Sequence, residues 1–275
     1  MSGLRAGVQR GLVAAYRAAN RAGLLDSRVA EVAFQRSYFL YKRLVEDPFA
    51  RLVATRPELF AGGDVLDVGA NIGYTATLFA GAVDAHRHVH AFEPEARNFR
   101  WLGNAIARSG RADRIVAHRA AVGAREGTIE LWHNDGHHAD HRVATAQLRA
   151  AVTGRVDEVP ITTIDAHVAA GGWAPVAFVK IDVQGFEPEV LRGMGETLAR
   201  NPGVHVAVEI MPAAIAELGF DPDAFLEELA TRLPAMAILE RDGRLVATDV
   251  AGILARTERG ELGYVDVLCA AAGAR

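Results

Sequence analysis

The chain has 275 residues, of which 50% are hydrophobic and 23% are charged, and this composition excludes collagen-like and disordered proteins. The formal net charge of −4 argues against a nucleic-acid partner, because proteins that bind polyanions usually carry a basic domain or stripe. A single cysteine, Cys269, excludes an internal disulfide or a thiolate metal cluster and predicts a packing role in a reducing compartment.

The pattern of residues 1–60 is helical and predicts an N-terminal arm ahead of one domain over residues 61–275. Leu4, Val8 and Leu12 recur at helical spacing among arginines. We expect this stripe to pack on the chain's own domain or on the second subunit of a homodimer. The alternative is a basic amphipathic helix that lies on an anionic membrane. Neither a signal peptide nor an apolar run of about 18 residues is recognisable, so we expect a cytoplasmic protein without an integral membrane segment.

From residue 61 onward, short apolar strands alternate with helices, which predicts βαβ units and a parallel sheet with helices on both faces. The expected strands cover 65–68, 88–92, 115–122, 159–164, 176–181 and 204–210, and the expected helices cover 73–82, 95–108, 187–200 and 221–233. Asp242 and Gly243 then separate two short apolar runs, as in a type I′ hairpin, and 264–270 forms a last strand. The sheet should therefore end in antiparallel strands, with residues 133–158 as an insertion loop.

A glycine-rich turn follows the first of these strands, where residues 65–74 are VLDVGANIGY. Gly69 and Gly73 allow a ligand and a helix to approach the backbone closely, and Asn71 tolerates a left-handed conformation. Glu93 ends the next strand, 20 residues beyond Gly73. An acid at that place suits a bidentate hydrogen bond to the two hydroxyls of a ribose. The turn and the acid together predict an adenosine ligand.

Asp67 discriminates between adenosine ligands. The dinucleotide pattern GxGxxG is absent, because positions 71 and 72 are Asn and Ile. A pyrophosphate would meet the Asp67 carboxylate, whereas S-adenosylmethionine carries an ammonium and a sulfonium that a carboxylate attracts. We therefore favour S-adenosylmethionine over a nicotinamide dinucleotide. An Asp67 that only caps the turn is the alternative.

Three motifs together resemble a known family. Residues 67–74 (DVGANIGY), 92–94 (FEP) and 179–187 (VKIDVQGFE) are similar, in order and spacing, to the FkbM-type S-adenosylmethionine-dependent methyltransferases, and the resemblance covers residues 34–212. It implies the Rossmann-like class I methyltransferase fold, an α/β fold whose seven-stranded, mostly parallel sheet has an antiparallel C-terminal strand. It also implies O-methylation of a hydroxyl on a sugar, a glycolipid or a polyketide-type product. Gln184 departs from the family, which commonly has an acid there.

The residues expected to bind the cofactor follow from the turn, the acid and these motifs. They are Asp67, Gly69, Asn71, Gly73, Tyr74, Glu93, Pro94 and Val122.

Methyl transfer to an alcohol needs an aligned acceptor and a general base. Because ligands bind at the carboxyl ends of strands in open α/β sheets, Asp182 is a candidate base and Glu209 a candidate acceptor contact. Lys180 lies two residues before Asp182 and should face the same side of the sheet, so it is also a candidate catalytic residue.

Residues 132–142 (WHNDGHHADHR) form a polar stretch with four histidines. His137, His138 and His141 are candidate bases, since imidazole titrates near neutral pH. Asp140 and Arg142 are candidate acceptor contacts, because residues 140–142 are similar to a loop signature of the family. A divalent metal held by these histidines with Asp140 or Asp182 and a solvated structural loop are the alternatives. We predict no metal, because magnesium sites prefer several carboxylates.

Tyr41 is the candidate acceptor contact in the aromatic stretch 34–41, although packing in a core or an interface is favoured for the stretch as a whole. Glu187 is interpreted as a helix-start residue, followed by Pro188 in the first turn. N- or carboxyl-methylation on the same fold, a non-catalytic S-adenosylmethionine-binding protein and a nicotinamide oxidoreductase stay open as alternatives. Of the 30 lysines and arginines only two are lysine, Lys42 and Lys180.

Overall fold

The computed structural model describes residues 27–43, 47–133, 141–260 and 263–271. Its helices are α1 (Arg28–Tyr41), α2 (Phe49–Thr55), α3 (Tyr74–Phe79), α4 (Ala96–Arg108), α5 (Ala146–Ala151), α6 (Ile164–Ala170), α7 (Glu187–Arg192), α8 (Gly195–Arg200), α9 (Pro212–Glu217), α10 (Pro222–Arg232) and α11 (Val250–Arg259). Its strands are β1 (Asp64–Val68), β2 (Val89–Phe92), β3 (Ile115–His118), β4 (Ala121–Val122), β5 (Gly127–Trp132), β6 (Arg142–Val143), β7 (Val156–Thr162), β8 (Val176–Ile181), β9 (His205–Ile210), β10 (Ala235–Leu239), β11 (Leu245–Ala247) and β12 (Val265–Ala270).

Within the described residues, the main sheet has eight strands in the order β11-β10-β12-β9-β8-β1-β2-β3. The strands from β9 to β3 pair in parallel, and β12 is antiparallel to both β9 and β10. This confirms the α/β fold and the antiparallel C-terminal end. The expected count of seven strands was wrong, because β11 folds back on β10 and adds an eighth strand at the edge.

The hairpin between β10 and β11 differs from the expected type I′ turn. Gly243 has a positive φ of 82°, whereas Asp242 is not among the residues with positive φ. The amide of Gly243 donates to the carbonyl of Glu240, and the amide of Glu240 donates to the carbonyl of Arg244. The connection is therefore a three-residue loop, 241–243, with glycine in the left-handed position. It has one residue more than the two-residue loop of a type I′ hairpin.

A second sheet of the described residues has the order β4-β7-β5-β6 and its own small core, formed by Leu131, Val143, Val159, Ile161 and Phe186 among others. The strand expected over 115–122 is thus two strands: β3 pairs with β2, and β4 crosses to β7. The segment expected as an insertion loop over 133–158 contributes β6, α5 and the start of β7. Its residues 134–140 lie outside the described residues.

Apolar side chains cover both faces of the main sheet. One face packs Leu66, Val68, Val179 and Ile181 against α6, α7 and α10, and the other packs Val65, Val89 and Phe178 against α2 and α3. Phe49 and Leu52 of α2 belong to this second core. The predicted boundary at residue 60, between an N-terminal arm and the main domain, stays a prediction. Residues on both sides of this boundary pack in the same core.

The helix expected over 187–200 is two helices, α7 and α8. They are interrupted at Gly193, where a Cβ atom would lie 2.0 Å from the carbonyl oxygen of Gly123. This close approach of two backbones requires glycine and ends α7. Among the described residues, no helix combines the length and the apolar character needed to cross a membrane. The N-terminal stripe with Leu4, Val8 and Leu12 lies outside the described residues.

Candidate active site

A cavity of about 420 Å³ opens at the carboxyl ends of the central strands. Its wall combines α1, the turn after β1, the end of β2, β4 of the second sheet, and the residues that follow β8 and β9. Ligands of open α/β sheets bind at this end of the strands, where connections leave in opposite directions. The N-terminal helix α1, the main sheet and the second sheet therefore all contribute to one site.

The turn after β1 has the conformation that its sequence predicts. Gly69, Asn71 and Gly73 all have positive φ, at 81°, 49° and 91°. The amides of Gly69 and Ala70 donate to the carbonyl of Phe92, which fixes the turn to the end of β2. Gly69 and Asn71 line the cavity. Gly73 does not: a Cβ atom there would lie 2.8 Å from the Leu102 side chain, so this glycine lets α4 pack closely.

Glu93 lies on the cavity wall beside Pro94 and is only 6% exposed. Its Oε2 accepts from the amide of Asn71 and its Oε1 from the amide of Glu95, both at 2.9 Å. Burial, reinforced by the Glu95 carboxylate, raises the pKa of Glu93 to about 8. Each oxygen of this carboxyl group bonds to one amide and can make a further hydrogen bond to a ligand.

Two further polar groups of the wall have no hydrogen-bond partner among the described residues. They are the buried Oδ1 of Asn71 and the buried hydroxyl of Tyr74. Burial also raises the pKa of the Tyr74 hydroxyl, which stays protonated. A buried polar atom without a partner costs free energy, so these groups suit a polar ligand. Val122, also predicted as a cofactor contact, lines the same cavity.

Asp67 is not on the cavity wall. It is fully buried, its Oδ2 accepts from the Thr75 hydroxyl at 2.6 Å, and its Oδ1 lies 3.5 Å from the Lys180 Nζ. Burial raises the pKa of Asp67, although the Lys180 charge opposes this. The Asp67 carboxylate thus contacts Thr75 and Lys180 of the protein itself. This arrangement fits the alternative in which Asp67 only caps the turn.

Lys180 lines the cavity, whereas Asp67, which we expected to contact the cofactor, does not. Its Nζ lies 3.3 Å from the Asp182 Oδ2 and donates to the carbonyl of Gly69 at 3.4 Å. Burial works against the charged amine, but the carboxylates of Asp182, Asp67 and Glu209 raise the pKa of Lys180. The lysine is therefore a fixed positive charge that joins the ends of β1 and β8.

Two acidic side chains, Asp182 and Glu209, line the cavity and are joined by Gln184. The Gln184 side-chain amide donates to Asp182 Oδ1 at 3.0 Å and to Glu209 Oε2 at 3.1 Å. Burial opposes ionisation of Asp182, yet the charges of Lys180 and Lys42 lower its pKa. Burial and the Asp182 charge raise the pKa of Glu209. The lowered pKa of Asp182 and the raised pKa of Glu209 favour a proton on Glu209 rather than on Asp182, and the Gln184 side chain bridges the two groups.

Asp266 lines the cavity but was not selected from the sequence. It lies opposite Glu209 in the pairing of β12 with β9. Burial raises its pKa to about 7. The signal available in the sequence was one charged residue inside an otherwise apolar strand.

The histidine-rich segment reaches the cavity through His141 and Arg142. The His141 ring lies 5.3 Å from the His133 ring, and Arg142 pairs with Glu217. His137, His138 and Asp140 lie outside the described residues, so their roles stay predictions.

Helix α1 and its C-cap residue supply four side chains to the wall: Phe34, Tyr38, Tyr41 and Lys42. The Phe34 ring packs 5.5 Å from the Trp101 ring. Gln35 of α1 donates from its side chain to the Trp101 carbonyl at 2.8 Å. The aromatic stretch therefore both packs against α4 and lines the cavity.

Glu187 is 2% exposed and does not line the cavity. Its Oε1 accepts from the amides of Val183 and Gly185 at 3.0 and 3.1 Å. Helix α7 begins at this residue, in agreement with its interpretation as a helix-start residue. Burial raises the pKa of Glu187 to about 7.

The sequence is similar to known methyltransferases. Residues 67–235, more than half of the chain, match the methyltransferase FkbM domain. The 31-O-demethyl-FK506 methyltransferase FkbM of Streptomyces tacrolimicus is 29% identical over 260 residues, which cover 84% of this chain and 94% of that protein.

Among solved structures, a methyltransferase FkbM from Methylobacillus flagellatus KT aligns over 84% of this chain with 16% identity and a TM-score of 0.48. The alignment covers 52% of that protein, so the chain spans about half of its length. The O-methyltransferase TomG of Streptomyces achromogenes, solved in complex with S-adenosylmethionine, aligns over 86% of this chain and 85% of its own, with 16% identity and a TM-score of 0.45. Because the family model matches more than half of its length, the chain belongs to the FkbM family of S-adenosylmethionine-dependent methyltransferases.

Proposed function

We propose that the chain transfers the methyl group of S-adenosylmethionine to a hydroxyl of a small molecule such as a sugar, a glycolipid or a polyketide-type product. The observation that carries this proposal is that two chemically different groups of residues line one cavity. The glycine turn and Glu93 form the group that we call the cofactor half, and Glu209 and His141 form the group that we call the acceptor half. Asp182 adjoins both, because its amide donates to the Val68 carbonyl and Gln184 links its side chain to Glu209.

The first half fits the nucleoside of the cofactor. Each Glu93 oxygen can make one further hydrogen bond, which suits the two ribose hydroxyls. Asn71 and Tyr74 line the same cavity, and each has a buried polar atom without a partner among the described residues. The ionised Asp182 supplies the negative charge that the cationic end of the cofactor requires. When bound, S-adenosylmethionine supplies a methyl group activated by its sulfonium.

The second half fits a hydroxyl acceptor. Asp182 is a weak base because its pKa is lowered, and the raised pKa of Glu209 favours its protonated form, which cannot accept a proton. His141 is therefore the best described candidate to take the proton of an acceptor hydroxyl. The Streptomyces relative, whose name refers to a 31-O-demethyl substrate, supports oxygen as the methylated atom.

Calorimetry with S-adenosylhomocysteine tests the cofactor half. Glu93→Gln is expected to weaken binding by about 10- to 100-fold, the cost of leaving a buried ribose hydroxyl without an acceptor. The exposed Glu258→Gln is the matched control and should bind like the wild type. Melting temperatures of both variants check that they are folded. Equal affinities of folded Glu93→Gln and Glu258→Gln would exclude the proposed cofactor contact.

A screen for S-adenosylhomocysteine release tests the acceptor half. Saccharides, glycolipids and hydroxylated polyketides are offered with and without a chelator, beside matched amines. We expect hydroxyl acceptors to turn over, with His141→Gln lowering kcat by about 100-fold, the contribution of a general base, at unchanged S-adenosylhomocysteine affinity. Turnover of amines alone, unaffected by His141→Gln, would instead identify an N-methyltransferase.

A further inference from the structure

Three histidines from distant parts of the chain meet at the edge of the main sheet, outside the cavity. They are His90 in β2, His118 at the end of β3 and His167 in α6. In the parallel pairing of β2 with β3, Phe92 lies opposite His118. His90 and His118 therefore face the same side of the sheet, and α6 brings His167 against them.

The three rings are close enough to share one ion. His90 Nδ1 lies 3.2 Å from His118 Nε2, and one ligand nitrogen of each ring lies within 4.8 Å of the others. The His167 ring centroid is 4.7 Å from both other centroids. Ligand nitrogens around a tetrahedral zinc ion are about 3.4 Å apart. Small rotations of the three rings would bring one nitrogen of each to this separation.

A carboxylate faces the outer side of the group. Asp64 Oδ2 lies 3.8 Å from His90 Nε2, and Asp64 Oδ1 accepts from the amide of His88 at 2.9 Å. A carboxylate against the outer nitrogen of a histidine ligand fixes the ring and leaves the inner nitrogen for a metal. Here it leaves His90 Nδ1 directed at His118.

We propose that His90, His118 and His167 bind one divalent transition-metal ion, with zinc as the best match. Three imidazoles suit zinc, whereas magnesium and calcium require oxygen ligands. All three side chains are half-buried, so an ion can enter from solvent. The ion ties β2, β3 and α6 together behind Phe92, whose ring stacks on His118 at 4.7 Å and lines the cavity.

Calorimetric titration of the full chain with zinc tests this site. The protein is purified without a polyhistidine tag and stripped with a chelator. One zinc ion per chain is expected, with an increase in melting temperature because the ion binds the folded state. His118→Gln and His167→Gln are each expected to weaken zinc binding by about 100-fold and to abolish the increase. Cobalt should give the absorption spectrum of a tetrahedral site in the wild type.

Two control variants separate this site from other histidines. His88→Gln changes a neighbouring ring, 6.3 Å from His90 and outside the set, and His141→Gln changes the histidine-rich segment. Both should bind zinc like the wild type. Absence of zinc binding to the wild type, or wild-type affinity in a folded His118→Gln or His167→Gln, overturns the proposal. Loss of binding in His141→Gln also overturns it, since the ion would then lie elsewhere. His167→Gln, on a helix, keeps the test valid if His118→Gln does not fold.

Discussion

Lys180 is the residue on which the charges of the site depend. Its amine faces the fully buried Asp67 and the ionised Asp182, and it bonds to the backbone at Gly69. Removal of one member of a buried ion pair leaves an uncompensated charge. Lys180→Met should therefore lower the free energy of unfolding by about 3–5 kcal/mol, as measured by chemical denaturation.

The double variant Asp67→Asn with Lys180→Met provides the control for that prediction. It removes the fully buried Asp67 charge together with that of Lys180 and leaves only the partly exposed Asp182 ionised, so it should recover part of the stability lost by the single variant. A double variant no more stable than Lys180→Met would mean that lysine packing, and not its charge, stabilises the turn.

Individual side chains of the site were only partly predictable. The two-residue spacing predicts that Lys180 and Asp182 face the same side, and the structure brings their charged atoms within 3.3 Å. The direction of Asp67 was not predictable, because it depends on the pairing of β1 with β8, which places Asp67 opposite Lys180. Pairing between strands that are far apart in sequence has no local signal.

At the scale of elements, the turn after β1 depends on the close approach of two backbones. A Cβ atom at Gly69 would lie 1.8 Å from the carbonyl oxygen of Asp182, so Gly69→Ala forces β1 and β8 apart. Gly62 has a similar φ of 85°, but a Cβ atom there would have nothing within 4 Å, which makes Gly62→Ala the matched control. We expect Gly62→Ala to cost about 1–2 kcal/mol of unfolding free energy for the left-handed backbone.

Gly69→Ala should cost several kcal/mol more than the control, because it adds a steric overlap to the same backbone strain. Denaturant unfolding of the two variants measures the difference. Equal losses would show that the turn can move away from Asp182 without penalty.

Elements with strong local signals were predictable, and those defined by distant pairing were not. Asp221 caps α10 through the amides of Asp223 and Ala224, as its position before Pro222 suggests. By contrast, β4 and β6 are two residues long and are strands only because β7 and β5 pair with them. The second sheet was therefore missed.

For the whole molecule, the shifted pKa values predict how stability depends on pH. Burial raises the pKa of Glu93 to about 8 and those of Glu187 and Asp266 to about 7, against values near 4 in an unfolded chain. The folded state then binds more protons than the unfolded chain, so the contribution of these groups to the free energy of unfolding falls as pH rises. His118 and His167, with pKa values lowered to about 4, act oppositely between about pH 4 and 6.5.

Between about pH 6.5 and 8 the raised carboxyl groups dominate, and the free energy of unfolding without ligand should fall. Glu187→Gln removes one of these groups. Between about pH 4.5 and 7 its free energy of unfolding should therefore fall by on the order of 2 kcal/mol less than that of the wild type. Denaturation at several pH values measures this slope, and Glu258→Gln should follow the wild type. A Glu187→Gln slope equal to that of the wild type would contradict the raised pKa.

The near absence of lysine makes the cavity selectively addressable by covalent chemistry. Of the two lysines in the chain, Lys180 is 5% exposed and held by carboxylates, whereas Lys42 is half-buried at the end of α1 and lines the cavity. An amine-reactive fluorophore that modifies a side chain will therefore modify Lys42. A dye at that position reports directly on occupation of the cavity, without the introduction of any foreign residue.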